Sequence, residues 1–147
     1  MILVDANILV FSATKCPEQE KARSWLDGQV NTNVRVGLPW SSLTAFLRIV
    51  TNVRVYRTAA ASVDGAWSSV EAWLGCPNVW VPTPTDRHAS VFKQMLKATG
   101  GGGNLVPDAD LAALAVEHGL LLCSADRDFA RFPGLRWTNP LAAETLA

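Results

Sequence analysis

Histidine is nearly missing from this chain, cysteine is sparse, and no apolar run is long enough to cross a membrane. Each shortage excludes something. The two histidines, His88 and His118, have no partner at ligand spacing, which argues against a histidine-built metal site and leaves both as expected surface residues. The three cysteines, Cys16, Cys76 and Cys123, are odd in number and far apart. They offer neither the close pairs of a zinc site nor the even count of a disulfide framework. Cys123 sits in an apolar run and reads as a buried, reduced thiol. The longest apolar runs are strand-sized, well short of the ~20 residues of a membrane helix. The chain opens on such a run, with no basic lead and no small-residue cleavage site, so a cytoplasmic location is expected. Internal repeats, low-complexity tails and linkers are all lacking, and the expectation is a single domain over residues 1–147. The glycine run in Thr99–Asn104 precedes no Lys-Ser or Lys-Thr pair, so it is a mobile connection rather than a phosphate loop.

What the chain does have is balanced charge and short apolar runs. Its 13 basic and 13 acidic residues cancel, and 49% of the chain is hydrophobic against 18% charged, the profile of a folded globular protein. Zero net charge speaks against a nucleic-acid partner until the arrangement is considered. Three apolar runs lead to aspartates: Met1–Val4 to Asp5, Leu105–Pro107 to Asp108, and Leu120–Cys123 to Asp126. If each run is a strand of one parallel sheet, the aspartates gather at its carboxyl edge, where open α/β sheets bind ligands. Crowded carboxylates repel one another unless a cation neutralises them, and an oxygen-only cluster suits Mg²⁺ or Mn²⁺. With Asp110 and Asp128 counted into that pocket, the remaining surface is mildly basic and able to meet a phosphate backbone. Each aspartate also has a structural use: Asp108 and Asp126 can cap helices, and Asp5 can brace a turn. Their conjunction is what points to a site.

Periodicity and punctuation predict strands alternating with helices. Strands are expected at 2–4, 34–38, 79–81, 120–123 and 135–137. Helices are expected from Pro17 to Gly28, from a cap at Ser41 or Ser42 to Thr51, and from Ser62 to Leu74. Further helices are expected from a cap at Thr85 to Ala98, from Asp108 to His118, and briefly from Asp126 to Phe132. Val63, Trp67 and Val70 are predicted to face inward, and Trp40 and Phe46 read as core, with a groove for a partner helix as the alternative. Arg48, Arg54 and Arg57 read as a solvated basic face, or alternatively as contacts for RNA or an acidic partner segment. The alternation implies βαβ units in a three-layer α/β/α fold with a mostly parallel sheet of about five strands.

Three blocks carry a family resemblance. Ile2-Leu-Val-Asp5-Ala-Asn7, Gly103-Asn-Leu-Val-Pro-Asp108-Ala-Asp110-Leu-Ala-Ala-Leu-Ala115, and Ser124-Ala-Asp126-Arg-Asp128-Phe129 with Phe132-Pro-Gly-Leu-Arg-Trp137 together resemble a PIN domain. The likeness is to the VapC-type toxins of bacterial toxin–antitoxin pairs, and it spans essentially the whole chain. It implies a PIN-like fold and a metal-dependent endoribonuclease that leaves a 5′-phosphate and a 3′-hydroxyl. It assigns Asp5, Asp108 and Asp126 to Mg²⁺, with Mn²⁺ as a substitute, Asp128 to an accessory acid role, and Asn7 and Ser124 to support. It further implies a tRNA or ribosomal RNA substrate, a VapB-type antitoxin whose C-terminal segment fills the active-site groove, and a homodimer. The chain departs from the family in one place. Many members carry a glutamate at about the Ala45 position, and Ser41–Arg48 contains no acid. Asp110 could compensate, although two residues along a helix turns a side chain well away from Asp108. The departure leaves open a PIN-like module that binds RNA or antitoxin with weak or lost catalysis. A phosphohydrolase of the haloacid-dehalogenase type fits less well, because it needs a second aspartate where this chain has Asn7.

Overall fold

In the computed structural model, which describes residues 1–100 and 102–142, Ile2–Val4 forms the central strand β1. On one side lie β2 (Val36–Gly37) and then β3 (Val79–Trp80); on the other lie β4 (Leu121–Cys123) and then β5 (Trp137–Thr138). Every pairing is parallel, with Ile2 opposite both Val36 and Leu121. The expected α/β/α sheet is therefore present, and its parallel character is complete among the described residues.

Alternation along β1 divides the core. Ile2 and Val4 face one hydrophobic cluster, and Leu3 faces the other. The first cluster is covered by α1 (Ala6–Ala13), α2 (Gln19–Val30), α3 (Trp40–Val50) and α5 (Val63–Leu74). The second is covered by α6 (His88–Thr99) and α7 (Leu105–Glu117). Helix α4 (Val53–Tyr56) and a 3₁₀ turn at Arg57–Ala59 link α3 to α5, and a second 3₁₀ turn spans Arg127–Arg131. Among the described residues no helix is long and apolar enough to cross a membrane. The three thiols are free, and burial pushes the Cys123 thiol up to about 12, in keeping with an inert core cysteine.

Several expectations need correcting. Helix α1 was not anticipated: Ala6, Ile8, Leu9, Val10 and Ser12 are all buried, so the segment lacks the one-sided apolar stripe that marks a surface helix. Gly28 does not stop α2, because Leu26 and Val30 continue its buried stripe and Gly28 lies on the exposed side. Neither Ser41 nor Ser42 caps α3; its N-cap is Pro39, and both serines lie within the helix. On α5 the buried face is Ala66 and Val70, so Val63 (71% exposed) and Trp67 (40%) point outward. Trp67 stands about 100° round the helix from Ala66. Trp40 is also exposed, at 46%, and stacks on Trp67 with ring centroids 6.5 Å apart. Phe46 is core as expected. Helix α6 takes in Thr99 and ends on Gly100 in the left-handed conformation; of the expected mobile connection, Gly101 lies outside the described residues.

Candidate active site

The first strand ends on Asp5, whose extended backbone makes it the N-cap of α1, with its Oδ1 accepting from the Ala6 amide at 2.7 Å. Its Oδ2 accepts from the Ser124 hydroxyl at 2.7 Å and from the Asn7 side-chain amide at 2.9 Å. Ser124 follows β4 directly, so this contact joins the carboxyl ends of two neighbouring strands. Asn7 also donates to Ser124 Oγ at 2.9 Å, and its Oδ1 accepts from the Ala125 amide. The supporting roles expected of Asn7 and Ser124 thus have a geometric basis: together they hold Asp5 in one orientation.

Ser124 Oγ additionally accepts from the Asp126 amide at 3.0 Å, and Asp126 Oδ1 caps the following 3₁₀ turn through the Asp128 amide at 2.8 Å. Asp128 pairs with Arg131 at 3.3 Å on the exposed side of that turn. Asp108 reaches the site by a route the sequence did not reveal. Leu105–Pro107 is not a strand; it is the first turn of α7, where proline is tolerated because the early amides have no helical partner. Asp108 therefore projects from a helix N-terminal turn rather than from a strand end. Asn104, not Asp108, is the N-cap.

Asp5 and Asp108 both line a cleft of about 190 Å³, together with Ser42, Ala45 and Arg48 of α3. Burial raises the pKa of Asp5, partly offset by the Ser124 and Ala6 hydrogen bonds and reinforced by Asp126. Asp108 is raised to about 6, first by burial and then by repulsion from Asp126, Asp5 and Asp128. The other three predicted acids thus all bear on Asp108, and Asp126 bears on Asp5 as well. Among the described residues, however, no three acid, histidine or cysteine side chains close on one point tightly enough to hold an ion by direct contact alone. The donors are splayed, and they are all oxygen.

Asp110 is not part of the cluster. Its Oδ1 lies 2.8 Å from His88 Nε2, on the side of α7 that faces α6. It cannot replace the missing glutamate, as the two-residue offset from Asp108 already suggested. His88 is correspondingly no free surface residue: its Nδ1 lies 3.1 Å from Glu117 Oε2, whose side chain is fully buried, while Glu117 Oε1 accepts from the Thr85 amide. His118 is held by the Thr83 carbonyl at 2.7 Å and packs edge-on against Trp80. The His88 contacts tie α7 to α6, and those of His118 tie the end of α7 to the β3 region, so the helix that carries Asp108 is held at both places. Two pieces of the cleft escaped the sequence reading. Ser42 was taken for a cap, and Arg48 was grouped with Arg54 and Arg57, yet among these three arginines it is Arg48 that lines the cleft.

The parallel α/β/α fold agrees with what comparison finds. The PIN domain family matches residues 2–135. Ribonuclease VapC37 of Mycobacterium tuberculosis is 42% identical over 143 residues, covering 97% of this chain and 99% of that protein. Ribonuclease VapC43 of the same species is 40% identical over 146 residues, covering 99% of each chain. The structure of VapBC2 from Rickettsia felis superposes with a TM-score of 0.69 at 18% identity, over 95% of this chain and 98% of that one. FitAcB from Neisseria gonorrhoeae gives 0.65 at 19% identity, over 95% and 98%. The chain belongs to the PIN-domain family and, within it, to the VapC ribonucleases.

Proposed function

We propose that this chain is a Mg²⁺- or Mn²⁺-dependent endoribonuclease, a hydrolase acting as the toxin of a toxin–antitoxin pair. One observation carries the reading: a cleft walled by Asp5 and Asp108, with Asp126 and Asp128 in electrostatic reach, in a chain 42% identical to a ribonuclease. Asp5, Asp108 and Asp126 are the residues that would hold the cation, and Asp128 assists. The donor set fits, since carboxylate and hydroxyl oxygens are hard ligands and their splayed arrangement suits an ion that keeps part of its water shell. When bound, the cation supplies positive charge at the scissile phosphate and makes water a competent nucleophile.

The chain's own residues do the rest. Ser124 and Asn7 fix the Asp5 carboxylate, so that it is presented to the cleft without rearrangement. Arg48, which lines the same cleft, offers a planar set of donors matched to phosphate oxygens. His88, between Asp110 and Glu117, ties α7 to α6. The substrate is tRNA or ribosomal RNA in the cytoplasm.

The structural neighbours carry the names of toxin–antitoxin complexes, and we extend a VapB-type partner to this chain. A groove of about 710 Å³ between α1, α3 and α5, lined by Phe46, Val50, Tyr56 and Ala66 with Lys15 at its edge, is of a size to take a peptide segment. The exposed Trp40, Trp67 and Val63 form a separate apolar patch, which we assign to a homodimer contact.

Cleavage of total RNA by the purified chain tests the reading. It is expected to require Mn²⁺ or Mg²⁺, to stop on chelation, and to fall on the order of a hundredfold or more in Asp5→Asn and Asp108→Asn, as loss of several kcal/mol of charge stabilisation demands. Equal cleavage by the variants, or cleavage that survives chelation, sinks it. The absence of a carboxylate at Ala45 favours one rival, a module that binds RNA or antitoxin without cutting; a chain that retains RNA but never cleaves it would select that rival.

A further inference from the structure

Three buried polar atoms among the described residues have no hydrogen-bond partner: Ser42 Oγ, Asn78 Oδ1 and Trp80 Nε1. Asn78 and Trp80 belong to the β3 region, whereas Ser42 belongs to the wall of the acidic cleft. Ser42 is 2% exposed. A buried hydroxyl normally finds a partner, and a serine inside a helix has one at hand in the carbonyl a turn earlier. Thr44 takes that option, donating to the Trp40 carbonyl at 2.8 Å; Ser42 does not. The residue also lines the acidic cleft, which is where a partner for that hydroxyl can come from.

The same wall is where a family carboxylate is lacking. Ala45 lies one turn further along α3 and contributes only a methyl group to the cleft. We propose that Ser42 is a member of the divalent-cation site, its hydroxyl supplying from α3 the oxygen that faces the hydrated ion where relatives present a glutamate. This rests on the metal-site reading above and adds to it a residue and a consequence. A neutral oxygen in place of a carboxylate leaves the site with one negative charge fewer, so this chain holds its cation more weakly than an acid-bearing relative does.

The test is Mn²⁺ titration of the full chain, following loss of the free-ion electron paramagnetic resonance signal, together with metal-free melting. Ser42→Ala is expected to bind Mn²⁺ about tenfold more weakly, the scale seen when a group supporting a metal site is removed. Its metal-free melting temperature should be unchanged or raised, because an unpartnered hydroxyl has been deleted. Ala45→Glu is expected to bind more tightly than the parent. Parental Mn²⁺ affinity in Ser42→Ala, with binding lost in Asp108→Asn, overturns the role of Ser42 and leaves the metal site standing. A lowered metal-free melting temperature in Ser42→Ala overturns it as well, by making the hydroxyl structural. Equal binding by the parent and Asp108→Asn removes the site itself, and Ser42 with it.

Discussion

Asp108 is under opposing influences. The first turn of a helix favours a negative charge, by roughly 0.3–1 kcal/mol at exposed positions. Burial and three neighbouring aspartates act the other way and prevail, raising its pKa from 3.8 to about 6. Without a cation, the folded protein therefore holds this proton more tightly than the unfolded chain does. The stabilisation from protonated Asp108 is complete below about pH 4 and is lost as pH rises through about 6. Melting of the parent and Asp108→Asn in chelator, from pH 4 to pH 7, should show the parent losing ground to the variant across that window. A flat difference would mean that Asp108 stands clear of the other acids. At pH 7 the sign reverses on adding Mn²⁺, which should raise the parent's melting temperature and leave the variant's almost unmoved.

Among the elements, α2 offers the clearest experiment. Gly28 sits on its exposed face, and an added Cβ would meet nothing within 4 Å. Gly28→Ala should stabilise the protein by about 0.5–1 kcal/mol, read as a higher urea midpoint with an unchanged slope. A lowered midpoint would show that the helix does end at this glycine. The same helix illustrates what could be read in advance. Strands β1 and β4 were legible because they are continuous apolar runs bounded by polar residues, and α5 because Ser62 caps it through the Gly65 amide. Helix α1 was not, since it is buried on nearly every side and shows no periodicity. Leu105–Pro107 misled for a related reason: an apolar triplet with a proline suits a strand end or a first helical turn, and it is the largely buried run from Ala109 to Ala115 that makes the segment helical. At the candidate site, Asp5 and Asp126 stand after the strand-like runs read from the sequence, whereas the run before Asp108 is helical. The role of Ser42 could not be read in advance, because it depends on which face of α3 meets the cleft, and that is set by contacts remote in sequence.

For the whole molecule, the surface divides into an acidic cleft, an adjoining groove and the aromatic patch on α3 and α5. Trp40 and Trp67 leave large apolar rings in solvent, which a lone protein seldom does over a contiguous area. If the patch is a contact between copies, the parent should elute at twice the mass of its chain, and Trp67→Ser should elute as a monomer with its fold intact by circular dichroism. A parent that elutes at monomer mass would refute the dimer. The order of the sheet has one more consequence. Strand β1 lies at the centre of the sheet, yet its partner β4 is far from it in sequence; the Ser124–Asp5 hydrogen bond spans 119 residues. A nascent chain emerging from the ribosome carries Asp5 long before Asp126 exists, and contacts so distant in sequence form late. The acids of the candidate site therefore cannot come together until the chain has been made through Asp126.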